Sequence, residues 1–264
     1  MRQPQPESQP PFGRPQAVVI IPARWGATRL PGKVLSDVLG RPLLQRIIAV
    51  CRACRTVDQV IVATDDRRIF TVAEQAGAQA VMTSRRLRSG SDRVAAAARA
   101  VNAEIIVNVQ GDEYFEQPRI LGRLISFLRR NPEVKVATLA RPISAREAAD
   151  PHLVKVVCDR LGNALYFSRW AIPFHRGGKS KTNYMSHIGI YAFRRPTLLE
   201  FAASGKTPLE AAESLEQLRL LERGIRICVL KTNCLTVGVD TPADLRKLRS
   251  LLKKDRLHLR GDRG

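Results

Sequence analysis

The chain has 264 residues, 44% hydrophobic and 5% aromatic, and its 44 Lys and Arg against 24 Asp and Glu give a formal charge of +20. The apolar fraction excludes a wholly disordered chain and allows one large or two small domains, and no apolar run reaches the ~18–20 residues of a membrane-spanning helix. The charge favours anionic partners such as nucleotides, acidic membranes or nucleic acid, although so few aromatics leave little surface for stacking on bases.

In chain order, residues 1–16 are rich in Pro and Gln, lack the apolar stretch of a secretory signal and read as a disordered leader. Residues 18–21 are four β-branched residues in a row, a strand with no polar face. The strand breaks at Pro22 into a loop carrying Arg24, Arg29 and Lys33 together with Gly26 and Gly32. Backbone N–H groups and fixed cations at the carboxyl edge of a sheet suit a phosphate. Neither the Walker A spacing nor G-x-G-x-x-G is present, and a basic surface loop is the plainer alternative. A helix over 42–55 carries Leu43, Leu44, Ile47, Ile48 and Val50 as its apolar positions. Strands over 60–63, 79–82 and 105–109 then alternate with helices over 68–76, 92–101 and 118–130. That alternation predicts an α/β fold with a doubly wound, mostly parallel, Rossmann-like sheet. Asp65 and Asp66 read as helix caps. Cys51 and Cys54 have a redox spacing, but they lie inside a helix rather than at its start, where thiolates are activated. Five scattered cysteines suit reduced thiols in the cytoplasm.

Past residue 134 the pattern changes. Strands over 134–141, 154–159 and 164–169 (the last two as a hairpin), a polar loop over 175–182 and a strand over 188–193 suggest a small α+β subdomain inserted at about 134–195. An amphipathic helix over 208–223 closed by Gly224, a strand over 225–230 and a helix over 241–252 complete a domain spanning 17–254. Residues 255–264 remain as a basic tail.

Chemistry concentrates at two further junctions. Asn108-Val-Gln-Gly-Asp-Glu113 follows a buried strand, which puts Asp112 and Glu113 at the same sheet edge as the basic loop. Val237-Gly-Val-Asp-Thr-Pro242 is a strand-to-helix junction with Asp240 at the turn. Two carboxylates from separate strand ends, facing a cationic loop, suit a Mg2+–triphosphate site. For Asp240 the alternative role is capping the following helix.

These segments form a recognisable series. Pro22-Ala-Arg-Trp-Gly-Ala-Thr-Arg-Leu-Pro-Gly-Lys33, Ser89-Gly-Ser-Asp-Arg93, Asn108-Val-Gln-Gly-Asp-Glu113 and Asn163-Ala-Leu-Tyr-Phe-Ser-Arg169 come first. His187-Ile-Gly-Ile-Tyr191, Leu215-Glu-Gln-Leu-Arg219 and Gly238-Val-Asp-Thr-Pro242 follow. Together they resemble the motifs of the cytidylyltransferases that activate acidic sugars, most specifically the 3-deoxy-manno-octulosonate (Kdo) branch, over residues 17–254. The resemblance implies a nucleotide-diphospho-sugar transferase fold and a cytoplasmic homodimer. It also implies transfer of a cytidylyl group from CTP to Kdo, giving CMP-Kdo and pyrophosphate for lipopolysaccharide synthesis. It assigns the nucleotide to Ala23, Arg24, Arg29, Lys33, Ser89, Gly90, Arg93 and Gln110. Catalysis falls to Lys33, Asp112 and Asp240, the two acids holding Mg2+. The sugar falls to Arg169, His187, Tyr191, Glu216 and Gln217, with a buried, hydrogen-bonded strand histidine as the other role for His187. Tyr114 stands where the family has Pro, and Leu87 where it has His. Another acidic sugar (sialic-acid-like or 8-amino-Kdo) and a nucleic-acid-binding protein on a degenerate fold are the competing functions.

Overall fold

Strand β1 (Ala17–Ala23) is buried along its whole length, and its alternate side chains enter two separate cores. Val19 and Ile21 face a layer made by α1 (Leu43–Arg52), α2 (Arg67–Gln75), α4 (Arg119–Arg130) and the start of α9 (Pro242–Gly261). Val18 and Ile20 face α3 (Gly90–Ala98), α6 (Arg195–Ala203) and α8 (Leu218–Glu222). Burial on both faces is the physical reason the strand carries no polar residue. The structure, a computed structural model, describes residues 16–26, 30–87, 89–176 and 184–261, with side chains as far as 254. The leader over 1–15, Arg29 and most of the loop over 175–182 lie outside the described residues.

β1 pairs in parallel with β2 (Gln59–Thr64) on one side and β4 (Ile105–Asn108) on the other, and β3 (Gln79–Met82) extends the sheet beyond β2. The order β3-β2-β1-β4 reverses between β1 and β4. In open α/β sheets that reversal leaves a crevice beyond the strands' carboxyl ends, where ligands bind. β9 (Tyr184–Arg194) runs antiparallel between β4 and β6 (Val136–Ile143), and β10 (Ile227–Lys231) is parallel to β6. The result is a mixed, mostly parallel nine-stranded sheet flanked by helices on both faces. Within 134–195, β6 and β9 therefore belong to the main sheet. The hairpin of β7 (Lys155–Cys158) and β8 (Ala164–Ser168) stands off its path, as does the short α5 (Ala145–Ala148).

Besides α5 and α6, which the sequence expectation does not include, three features depart from it. A two-stranded antiparallel sheet joins β5 (Glu113–Phe115) to β11 (Thr236–Gly238), pairing Glu113 with Gly238. The helix expected over 208–223 is two, α7 (Pro208–Glu213) and α8, separated by Ser214 at φ 53°. The cause is a buried ion pair: Arg219 Nε and Nη2 donate to Glu210 Oε2 and Oε1 at 2.7 and 2.6 Å. In an unbroken helix nine residues would separate that pair by about 13 Å, so the chain bends to close it. The last helix continues past residue 252 into the expected basic tail.

Candidate active site

The basic loop after β1 is shaped by packing. Gly32 has φ 66°, and a Cβ there would lie 2.6 Å from the ring of Trp25, so only glycine lets the loop fold under the indole. Gly32 N–H donates to Trp25 O at 3.0 Å. The Arg68 guanidinium covers the indole, 3.3 Å from its centroid, and is held by Asp66 at 2.9 and 2.7 Å. Asp66 also caps α2 by accepting from Arg68 N at 2.9 Å. Asp65 is not a cap: it pairs with the buried Arg93 at 2.8 Å. Arg93, read as a nucleotide contact, lines the crevice with that pairing made.

Lys33 opens a 3-10 turn (Lys33–Leu35), and its ammonium lies between two carboxylates. One is Asp112; the other is Asp240, whose Oδ1 is 2.7 Å away. Burial works against the charge of Lys33, but the two acids outweigh it and hold its pKa above the usual lysine value. Asp240 escapes the capping role because Thr241 and Asp244 take it. Asp244 Oδ2 accepts from Thr241 N at 2.8 Å, and Thr241 Oγ1 accepts from Asp244 N at 3.3 Å. The β5–β11 pairing, extended by Val239 N–H to Asp112 O at 2.8 Å, brings the two acidic loops together. Asp112 and Asp240 thus converge on one cation, in a crevice of 260 Å³ at the sheet's reversal. Among the described residues no cluster of three His, Cys, Asp or Glu makes a preformed metal cage. A two-carboxylate pair suits Mg2+, which takes one or two protein carboxylates and completes its shell with phosphate oxygens and water.

The remaining walls follow the sequence assignment in part. Ala23, Arg24, Ser89, Gly90 and Gln110 all border the crevice, and so do Leu87 and Glu216. Ser89 caps α3 in a capping box with Asp92 (3.1 and 3.2 Å), and Gln110 is oriented by Asn108 Oδ1 at 3.0 Å. His187 has Thr138 Oγ1 3.0 Å from Nε2, Phe167 edge-on at 5.0 Å and Tyr191 at 5.2 Å. Burial drives its pKa down to about 3, so the ring is neutral at neutral pH. The Tyr191 hydroxyl is buried without a hydrogen-bond partner among the described residues. Burial first, then Glu216 and Glu113, keep it protonated. Glu216 is itself pushed up by burial, partly offset by the hydroxyls of Ser91 and Ser89. Gln217 is buried at the start of α8. His187, Tyr191 and Gln217 are not among the residues bordering the crevice, and neither is Arg169. Its guanidinium donates to Glu213 O at 2.9 Å and Pro151 O at 3.3 Å, tying the end of α7 to β8. Tyr114 pairs with Val237 in the two-stranded sheet. Glu113, whose site role the sequence left open, is half-buried, and burial followed by the charge of Asp112 raises its pKa to about 7. Cys51 and Cys54 are both buried free thiols, and burial raises the pKa of Cys51, the opposite of an activated thiolate.

A family model for cytidylyltransferases matches residues 18–227 of the chain. The chain belongs to the cytidylyltransferase family. Among curated relatives, the 3-deoxy-manno-octulosonate cytidylyltransferase of Anaeromyxobacter sp. is 48% identical over 239 residues, covering 90% of this chain and 97% of the relative. That of Escherichia coli is 43% identical over 240 residues, covering 91% and 97%. A solved CMP:2-keto-3-deoxy-manno-octonic acid synthetase, complexed with CTP, superposes with a TM-score of 0.86 at 43% identity, over 91% of this chain and 99% of that one. HddC from Yersinia pseudotuberculosis, at 14% identity and a TM-score of 0.66 over 89% and 99% of the two chains, shares the fold. This cytidylyltransferase accordingly has the nucleotide-diphospho-sugar transferase architecture.

Proposed function

We propose that the chain transfers the cytidylyl group of CTP to the anomeric hydroxyl of Kdo, releasing pyrophosphate and forming CMP-Kdo for lipopolysaccharide synthesis. The observation that carries this reading is the meeting of Lys33, Asp112 and Asp240 at the sheet reversal, in a crevice that Glu216 also borders. The names of the relatives and of the CTP-bound structure support it.

The bond that forms joins the sugar oxygen to the α-phosphorus, the bond that breaks frees pyrophosphate, and the hydroxyl proton leaves to solvent. Such a transition state is stabilised mainly by positioning and by fixed charge. Arg24, Arg29 and Lys33 hold the triphosphate, and Lys33 offsets charge on the departing pyrophosphate. Asp112 and Asp240 would hold Mg2+, which would neutralise charge developing on the phosphate oxygens. Ser89, Gly90, Arg93 and Gln110 shape the nucleotide side. His187, neutral, serves as a hydrogen-bonding group rather than a cation, and the Tyr191 hydroxyl, without a partner among the described residues, gains one when a sugar hydroxyl enters. Glu216 borders the crevice, and the buried Gln217 follows it in the chain. Arg169 acts on the sugar through the α7–α8 bend it supports.

Two further elements complete the proposal. Trp170 and Phe174 are 79% and 86% exposed beside the β7–β8 hairpin, with Leu161 and Leu165 nearby in sequence. Such a patch suits a second copy of the chain, giving a homodimer. The five free thiols fit a cytoplasmic enzyme, and among the described residues no helix is long and apolar enough to cross a membrane.

The test is pyrophosphate release with CTP and Mg2+ against a panel of acidic sugars. Kdo should give the highest kcat/KM. Preference for 8-amino-Kdo or a sialic acid would move the assignment within the family, and no release with any of them would overturn it.

A further inference from the structure

The ladder between β6 and β9 slips at one point. Thr138 faces Tyr191, but Leu139 faces Ile188, so Gly189 and Ile190 form a bulge with no opposite residue on β6. The bulge has a measurable consequence. Side chains four apart on a regular strand stand about 13 Å from one another, yet the rings of His187 and Tyr191 are 5.2 Å apart. From inside the sheet the bulge is held by the Thr138 hydroxyl, which lies 2.8 Å from Ile190 O and 3.2 Å from Ile188 O.

It is also held by Glu113. A Cβ on Gly189 would lie 2.8 Å from Glu113 Oε2, so the carboxylate rests directly on the glycine backbone. The Gly189 N–H and the Thr236 hydroxyl both point to this carboxylate and favour its charged form. The backbone of Glu113, meanwhile, follows Asp112 and pairs with Gly238, two residues before Asp240. One side chain therefore links the strand that presents His187 and Tyr191 to the two-stranded sheet that presents Asp112 and Asp240.

We infer that Glu113 is a positioning residue that fixes the β9 bulge against the loops of Asp112 and Asp240, and so sets the distance between the sugar hydroxyl and the α-phosphorus. This rests on the reading of the crevice as a CTP–Kdo site. Glu113 touches neither substrate, but acts through the two walls it joins. Gly189 is its necessary counterpart, because any side chain there displaces the carboxylate.

Four variants test it: Glu113→Asp, Glu113→Ala, Gly189→Ala and the double variant Glu113→Ala/Gly189→Ala. Glu113→Asp keeps the carboxyl group but is one methylene too short to reach the bulge. A misplacement of about 1 Å costs on the order of 10²-fold in rate. Glu113→Asp and Glu113→Ala should therefore lower kcat on that scale, with the KM for CTP and the melting temperature close to wild type. Gly189→Ala should match them alone and add little in the Glu113→Ala background, since the two act as one unit. A second readout needs no substrate: amide hydrogen exchange across 184–194 should quicken in Glu113→Ala. The inference is overturned by wild-type kcat in Glu113→Asp, or by an equal cost of Gly189→Ala in both backgrounds. It is equally overturned by unchanged exchange, or by a fall in kcat matched by a fall in melting temperature and a rise in the KM for CTP. An inactive wild-type enzyme would instead count against the CTP–Kdo reading, while the exchange experiment still decides the role of Glu113.

Discussion

Gly32→Ala perturbs the phosphate loop at one atom. An alanine at φ 66° pays the left-handed backbone penalty of about 1–2 kcal/mol. In addition, its Cβ would sit 2.6 Å from the Trp25 indole, closer than real Cβ atoms approach, so the ring must swing away from Gly32 and from Arg68. The backbone penalty alone corresponds to a fall in Tm of about 2–8 °C for a domain of this size. Lys33 follows Gly32 directly, so the displacement reaches the ammonium that lies between Asp112 and Asp240, and the KM for CTP should rise together with the loss of stability. Differential scanning fluorimetry and pyrophosphate-release kinetics measure the two effects on the same samples. Gly26→Ala is the comparison, because among the described residues nothing lies within 4 Å of its Cβ position, and it should leave Tm unchanged. A Gly32→Ala protein with wild-type Tm and CTP kinetics would refute the argument that Trp25 and the left-handed turn shape the loop.

Two other outcomes follow from the acceptor side. Tyr191→Phe removes a buried hydroxyl that has no partner among the described residues, so stability should hold or rise by up to about 1 kcal/mol while the KM for Kdo increases; a destabilised variant in urea titration would contradict this. His187, with its pKa pushed down to about 3, should show no imidazole titration by NMR near 6.5. Between those values the unfolded chain binds the extra proton, so this residue's contribution to stability is lost as pH falls from about 6.5 towards 3. Replacing it by Gln should flatten that acid limb; a native-state titration near 6.5 would overturn the prediction.

The elements that were legible in the sequence are those with strong local periodicity. β1 is readable because burial on both faces demands an unbroken β-branched run, and α4 because Ile120, Leu121, Leu124, Ile125 and Leu128 form one stripe. The β5–β11 sheet was not legible: each strand has three residues, too few to show a period, and the pairing is entirely long-range. The break at Ser214 was hidden for a different reason. The apolar spacing persists across it, and only the burial of Glu210 with Arg219 forces the bend. α6 is marked by Pro196 in its first turn, a start signal that could have been read. At the site, motif order pointed to Lys33, Asp112 and Asp240, which the structure brings into contact. The capping ambiguity of Asp240 was also resolvable, since Thr241 and Asp244 stand at capping-box spacing. Arg169 shows the limit of motifs, because the bonds that occupy its guanidinium come from Glu213 and Pro151, which sequence spacing does not reveal.

The central claim is that Lys33, Asp112 and Asp240, brought together from three distant loops, form one magnesium-dependent nucleotide centre. Calorimetric titration of CTP with and without Mg2+, on wild type, Asp112→Asn and Asp240→Asn, tests it most directly. Wild type should bind CTP more tightly with Mg2+, and either substitution should abolish that dependence and nearly all turnover while leaving the melting transition cooperative. An Asp240→Asn protein that keeps the wild-type Mg2+ dependence and turnover would contradict the account.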